Sequence, residues 1–232
     1  MTWFLDNVDY VWSLTLKHVW LSAVPIVLGF VIAVPIGWYA SRHRRTRGLI
    51  LSTGSVLYTL PSLPLFLILP GIVGTSVLDP LNVIIALTIY AVAIMVRSAT
   101  DAFAAVSPAV LDAATAAGFA PAGRAFGVEL PLAGPVLLAG LRVVSVSTVS
   151  LVSIGALIGV DNLGSLFTDG FRRDFQTEIV IGIIATVVIA LVYDLLLVLV
   201  GRLLMPWAKA QTPDHDNPPL RQFFHRLSGA RP

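Results

Sequence analysis

Two oppositely charged residues, Arg142 and Asp194, interrupt long apolar stretches of the sequence. If those stretches span a membrane, each charge is costly unless it is paired or meets water. At 1.5 Å per helical residue, Arg142 lies ~15 Å from the start of its stretch near residue 132, and Asp194 lies ~15 Å from the end of the last stretch near residue 204. The two could therefore form an ion pair. Alternatively, Arg142 reaches the lipid headgroups while Asp194 faces a wet vestibule or a partner chain.

A second set of residues could line a passage for a polar solute. Serines recur every three residues from Ser147 through Ser150 to Ser153, which places them near one helix face. The ring face of a tyrosine can hold a quaternary ammonium group. Small hydroxyl residues also let membrane helices pack closely, and an inward tyrosine can belong to a core, so these alternatives stay open. The candidate passage residues are Tyr58, Pro61, Ser62, Tyr90, Ser147 and Ser150.

The remaining residue types argue against catalysis by this chain. No glycine-rich phosphate loop of the GxxxxGK[ST] kind occurs, and the only lysines are Lys17 and Lys209. Paired carboxylates, a Ser/His/Asp set and a metal-ligand cluster are also missing from the sequence, and there is no cysteine. We expect the four histidines to be solvated, because they fall at span boundaries or in the tail: His18, His43, His215 and His225.

The elements that position these residues are membrane spans. Of the 232 residues, 56% are apolar and 12% are charged, about half the charge of a soluble domain. Five apolar runs are long enough to cross a bilayer, and the second contains three prolines that would interrupt a regular helix. The sequence thus predicts an all-α integral membrane protein of about five transmembrane helices. The runs are 18–39, 49–74, 81–97, 132–158 and 177–203.

The basic residues predict the orientation. If the segment between the third and fourth spans is cytoplasmic, that side receives all of the 15 basic residues except Lys17, Arg172 and Arg173. The N-terminus is then outside and the C-terminus inside. We expect an extracytoplasmic segment at 1–17, one transmembrane domain at 18–204 and a flexible cytoplasmic tail at 205–232.

The cytoplasmic segment between spans three and four has a pattern of its own. Ser107 and Pro108 form a helix-starting pair, and alanines continue the helix until Gly118 stops it. Pro121 can open a second short helix, and Pro131 marks a turn into the next span. A helix–turn–helix with small side chains suits close docking of another surface, but it also suits an amphipathic loop on the membrane. The residues alone favour neither.

The spacing within this segment resembles the EAA loop of ABC importer permeases. Asp112-Ala113-Ala114 is followed by three residues, Gly118, nine residues and Val128-Glu129-Leu130-Pro131. The family pattern has Glu in place of Asp112 and Ile in place of Val128. The resemblance implies a coupling helix that docks on a separate ATPase subunit, which would hold ATP and Mg²⁺. This chain would need no cofactor.

Within that superfamily the chain is most similar to permeases for glycine betaine, choline, carnitine or proline betaine. The matching stretches are TLPSLPLF at 59–66, VSPAVLDAA at 106–114, ELPLAGPVLLAGLR at 129–142 and IGVDNLGSLF at 158–167. The resemblance implies a bacterial plasma (inner) membrane protein with a second permease chain, an extracytoplasmic binding protein and lipid as partners, and no nucleic acid. The alternatives are a D-methionine or other amino-acid permease and an ion-coupled secondary transporter.

Overall fold

A computed structural model describes residues 2–207, and that range is helical with no strand. Most of the predicted tail, from residue 208 on, lies outside the described residues, as do His215 and His225. The helices in chain order are α1 (Thr2–Asp6), α2 (Val8–Arg42), α3 (Arg44–Thr59), α4 (Ser62–Val73), α5 (Pro80–Ala104), α6 (Pro108–Ala116), α7 (Pro121–Arg124), α8 (Leu130–Val152), α9 (Gly164–Arg172) and α10 (Gln176–Leu204). A π-helical turn, Ala125–Glu129, joins α7 to α8, and a 3₁₀ segment, Ser153–Ile158, follows α8.

Four of these described helices are long and apolar enough to cross a membrane: α2, α5, the continuous helix Pro121–Ile158, and α10. A fifth crossing would be made by α3 and α4 together, which meet at an angle of 101°. The expected all-α membrane fold with four to five apolar helices is therefore confirmed. The second span is broken, as its prolines predicted.

Two predicted boundaries differ from the structure. Helix α2 begins at Val8, ten residues before the predicted first span, because its polar first turns lower the local hydropathy without ending the helix. Pro131 does not mark a turn, because the chain stays helical from Pro121 to Ile158. Just before Pro131, the N–H of Leu130 bonds to the carbonyl of Ala125, five residues back. Such a π-turn loosens the hydrogen-bond ladder where proline offers no donor.

The core is built on the crossing of α2 and α5. Gly29 and Gly37 of α2 lie so close to Ala91 and Ala99 of α5 that a Cβ on either glycine would come within 2.4 Å of the opposing alanine Cβ. Small residues allow membrane helices to approach this closely. Helix α5 is the most buried of the long helices, whereas α10 keeps most of its apolar surface exposed at the edge of the bundle.

Candidate functional site

The α6–α7 segment (residues 107–129) forms the predicted helix–turn–helix at one end of the bundle. Pro108 opens α6 behind Ser107, whose side chain makes no capping hydrogen bond. Gly118 ends the first helical stretch with φ +87°, a conformation that glycine adopts without strain. The N–H of Phe119 then bonds to the carbonyl of Ala114 at 3.1 Å and closes the turn.

This segment presents a mixed surface of small and aromatic side chains. Asp112, Ala113 and Gly118 are exposed, whereas Ala114 is buried and anchors the helix. A Cβ at Gly118 would meet nothing within 4 Å in this chain. Phe119 is also exposed, and Phe126 is 75% exposed. Together, the exposed rings of Phe119 and Phe126 form an apolar patch of the kind that contacts another protein or lipid.

Behind that surface lies a buried charge cluster that the sequence analysis missed. Glu129 is only 2% exposed and accepts a hydrogen bond from the indole Nε1 of Trp38 at 3.0 Å. It also forms ion pairs with Arg42 and with Arg124, whose Nε lies 3.2 Å from Oε1. Arg124 continues to the hydroxyl of Thr115 at 2.8 Å. A signal was available, because Glu129 directly precedes an apolar span, where an ionisable residue needs partners.

Arg142 and Asp194 are brought together across α8 and α10. The Nε of Arg142 lies 2.6 Å from Oδ1 of Asp194, and its Nη2 lies 2.8 Å from Oδ2, so the pair is bidentate. The two side chains remain 43% and 31% exposed in the single chain. They line a shallow depression on the outer surface, together with Ser147.

The tyrosine candidates meet at the break between α3 and α4. The rings of Tyr58 and Tyr90 contact each other edge to face, with centroids 6.3 Å apart. Tyr90 is buried, and its hydroxyl donates to the carbonyl of Leu60 at 2.7 Å, a group left free because the helix breaks there. Tyr58 and Pro61 are exposed, and Ser62 is half-buried. Tyr90 therefore supports the break, and Tyr58 offers the accessible ring.

The serine candidates lie on the outer face of α8. Ser150 is the last member of a stripe of exposed side chains that follow one another alternately at four and three positions. Ser147 is half-buried and lies beside this stripe. Ser153 begins the 3₁₀ segment and so leaves the regular helix spacing. The stripe consists of Leu132, Val136, Ala139, Val143, Val146 and Ser150.

One histidine expectation was wrong. His18 is fully buried, with Nε2 3.0 Å from the carbonyl of Val149 in α8. The early start of α2 moves His18 from the expected boundary into the helix bundle. His43, in contrast, is exposed at the end of α2. Among residues 2–207, no group of three or more His, Cys, Asp or Glu side chains could hold a metal ion.

Comparison with known proteins finds a matching family and several similar permeases. Residues 11–209 match the family described as "Binding-protein-dependent transport system inner membrane component". The chain is 31% identical over 198 residues to the osmoprotectant import permease protein OsmW of Salmonella typhimurium, covering 84% of this chain and 92% of that protein. It is 30% identical over 213 residues to the choline transport system permease protein OpuBD of Bacillus subtilis, covering 91% and 93%.

The fold has solved counterparts. A structure of the MetNI methionine ABC transporter in an inward-facing conformation matches with a TM-score of 0.70 at 20% identity, covering 83% of this chain and 96% of that one. The chain belongs to the family of inner membrane components of binding-protein-dependent transport systems, and within it to the ABC importer permeases of the osmoprotectant group. It is a transport permease subunit and a multi-pass inner membrane protein.

Proposed function

We propose that this chain is the membrane-spanning subunit of an ATP-driven importer for quaternary-amine osmoprotectants such as glycine betaine, choline, carnitine or proline betaine. The exposed α6–α7 segment carries this proposal, because a transport subunit without a phosphate loop needs a surface through which ATP hydrolysis can act. The N-terminus is then extracytoplasmic, and ATP and Mg²⁺ are held by the partner ATPase.

The α6–α7 segment suits docking on an ATPase groove. Asp112, Ala113 and Gly118 lie on its open side, where small side chains let another backbone approach closely. The exposed rings of Phe119 and Phe126 supply apolar contact area beside them. Aromatic anchors surrounded by small residues are typical of protein interfaces.

A second permease chain is supported by the outer face of α8 and α10. The Arg142–Asp194 pair is partly open in the single chain, yet it lies ~15 Å along α8 from Leu132. Charged groups at that depth face protein or a water-filled cavity rather than lipid. A second chain, identical or related, would enclose this face and the serine stripe beside it. The pathway would then run between two chains, lined by Ser147 and Ser150.

The proposed substrate class follows from the relatives and from the accessible ring of Tyr58. Two of the similar permeases are named as an osmoprotectant import permease and a choline transport system permease. The methionine transporter shares the fold at 20% identity, which carries no information on the substrate. A quaternary ammonium could contact the face of Tyr58 while passing the α3–α4 break. An extracytoplasmic binding protein would provide the high-affinity capture, and its ligand would identify the substrate.

Replacing Gly118 tests the docking step. Gly118→Trp should lower uptake at least ~tenfold, equivalent to ~1.4 kcal/mol of lost docking free energy, because the ring projects into the space that the ATPase occupies. Co-purification of the ATPase should fall in parallel, while the permease still inserts into the membrane. Gly118→Asn is the first control, because asparagine tolerates positive φ and is small. Gly48→Trp is the second, because a Cβ there also meets nothing within 4 Å. Full uptake by Gly118→Trp would exclude docking on this segment.

A further inference from the structure

Glu129 lies where the end of α2, the α6–α7 segment and the start of α8 come together. Its carboxylate receives the indole N–H of Trp38 and the guanidinium of Arg42, both on the last two turns of α2. On its other side it pairs with Arg124 of α7. Glu129 itself ends the π-turn that leads into α8. One side chain therefore joins the end of α2, the α6–α7 segment and the start of α8.

Burial makes this connection stiff. The side chain of Glu129 is 3% exposed, and those of Arg42 and Arg124 are 25% and 21% exposed. Arg42 is also fixed over the Trp38 ring, with its Cζ 4.6 Å from the ring centroid. Charge-assisted hydrogen bonds shielded from water are stronger and better oriented than surface ion pairs.

Both sides of the connection are anchored elsewhere. Near the end of α2, Gly37 packs against Ala99 of α5 with no room for a larger residue. On the other side, Arg124 donates to Thr115 of α6 at 2.8 Å, and the hydroxyl of Thr115 donates to the carbonyl of Leu111 at 2.8 Å. A displacement of α6 therefore reaches Glu129 through Arg124, and α2 through Arg42.

We propose that Glu129 is a positioning residue that clamps the α6–α7 segment to the end of α2, so that movement of the docked segment is passed to the α2–α5 core as well as to α8. This inference rests on the proposed docking of an ATPase on that segment. The clamp predicts a specific result. When it is broken, ATP hydrolysis should continue without transport, and the ATPase should stay bound.

The experiment uses the complete importer in proteoliposomes, with the permease chains, ATPase and binding protein present and glycine betaine or choline as the transported probe. Glu129→Gln keeps the shape of the side chain but removes the charge that holds both guanidinium groups. We expect the complex to assemble and hydrolyse ATP, while substrate imported per ATP falls roughly 5- to 100-fold. Arg42→Gln removes the ion pair to α2 and leaves the Trp38 hydrogen bond and the Arg124–Glu129 pair in place, so it should give a smaller uncoupling with less effect on assembly.

Asp101→Asn is the matched control, because it also turns a carboxylate into an amide. Its ion pair with Arg47 joins α3 and α5 and is 57% and 39% exposed. It should transport like the parent. Normal transport per ATP in both Glu129→Gln and Arg42→Gln would overturn the clamp. So would uptake that falls only in proportion to the amount of assembled complex, since that marks a folding role. A different result would contradict the proposed docking: the Gly118→Trp variant would then bind the ATPase as well as the parent does. The two hypotheses can therefore fail independently.

Discussion

Arg142 and Asp194 form a bidentate ion pair at a depth where an unpaired charge would be strongly destabilising. The pair satisfies both carboxylate oxygens and aligns the guanidinium in one plane. Part of each side chain is still open in the single chain, so the remaining donors need water or a neighbouring chain. Removing one member would leave the other without its counter-charge.

Charge exchange tests this pair. Arg142→Asp and Asp194→Arg should each reduce the yield of folded protein and uptake, because each places two like charges side by side. The double exchange should recover part of the loss, with a coupling energy of roughly 0.5–3 kcal/mol. Thermal unfolding in detergent and uptake in cells are the measurements.

As a control, Arg202→Ala removes the arginine of α10, which is exposed and lies in the last turn, and should have little effect. A double variant that loses as much as the two single variants combined would show that the two residues do not interact.

The sequence predicts the depth of a charged residue along its helix better than it predicts the direction in which the side chain points. Helical rise gave the depth of Arg142 and Asp194 but not the rotation of their helices, so the pattern left both pairing and separation open. Glu129 was overlooked because two of its three partners come from distant positions: Trp38 and Arg42 precede it by about ninety residues. Only the packing of α2 against the π-turn reveals them.

At the scale of elements, close contact between α2 and α5 organises the bundle. The small residues of α2 that face α5 recur every three or four positions: Gly29, Ala33, Gly37 and Ala40. They allow the backbones to approach until even a methyl group at Gly37 would displace Ala99 or the backbone of Thr100. Contacts of this kind replace the hydrophobic effect, which lipid does not supply.

Enlarging Gly37 should therefore separate the two helices. Gly37→Ala should destabilise by roughly 1–3 kcal/mol, the usual cost of overpacking, and Gly37→Leu should prevent accumulation of folded protein. Thermal stability in detergent and membrane abundance provide the measurement. Gly71→Leu is the control, because a Cβ on this helical glycine of α4 meets nothing within 4 Å. Equal stability of Gly37→Leu and Gly71→Leu would contradict the packing argument.

Proline patterns were only partly predictive. The prolines of the second span signalled an interruption, and the structure places it at Pro61 between α3 and α4. The angle of 101° could not be predicted, because the chain at the break packs against α5, where the hydroxyl of Tyr90 donates to the carbonyl of Leu60, thirty residues away in sequence. Pro131 signalled a turn that does not form, since the π-turn before it accommodates proline within a continuous helix.

At the scale of the whole molecule, residues 2–207 offer little enclosed space for a solute. Helix α10 is exposed along most of its length, and the serine stripe of α8 lies on an outer face. In the proposed importer, selectivity at low concentration belongs to the binding protein and not to this chain.

Deleting the binding protein should therefore abolish saturable uptake at low substrate concentration, while the permease and ATPase remain assembled. Competition experiments with the intact system should show that choline or glycine betaine displaces the labelled probe and that methionine does not. Unchanged apparent affinity without the binding protein would move the recognition site into the membrane, and Tyr58→Ala would then be the first variant to measure. Displacement by methionine alone would overturn the osmoprotectant assignment.

In the proposed importer, the continuous helix from Pro121 to Ile158 would act as a lever with an off-centre fulcrum. Its pivot is the Glu129 contact with α2, which divides the 38 residues unequally. At 1.5 Å per residue the arm that ends at Pro121 is ~12 Å long and the arm that ends at Ile158 is ~44 Å long. Turning about this pivot, a shift of ~1 Å at the short arm moves the far end by ~3–4 Å, more than half a helical pitch. In the proposed importer, a small rearrangement of the docked segment would thus be amplified into a larger displacement at the Ile158 end of the helix.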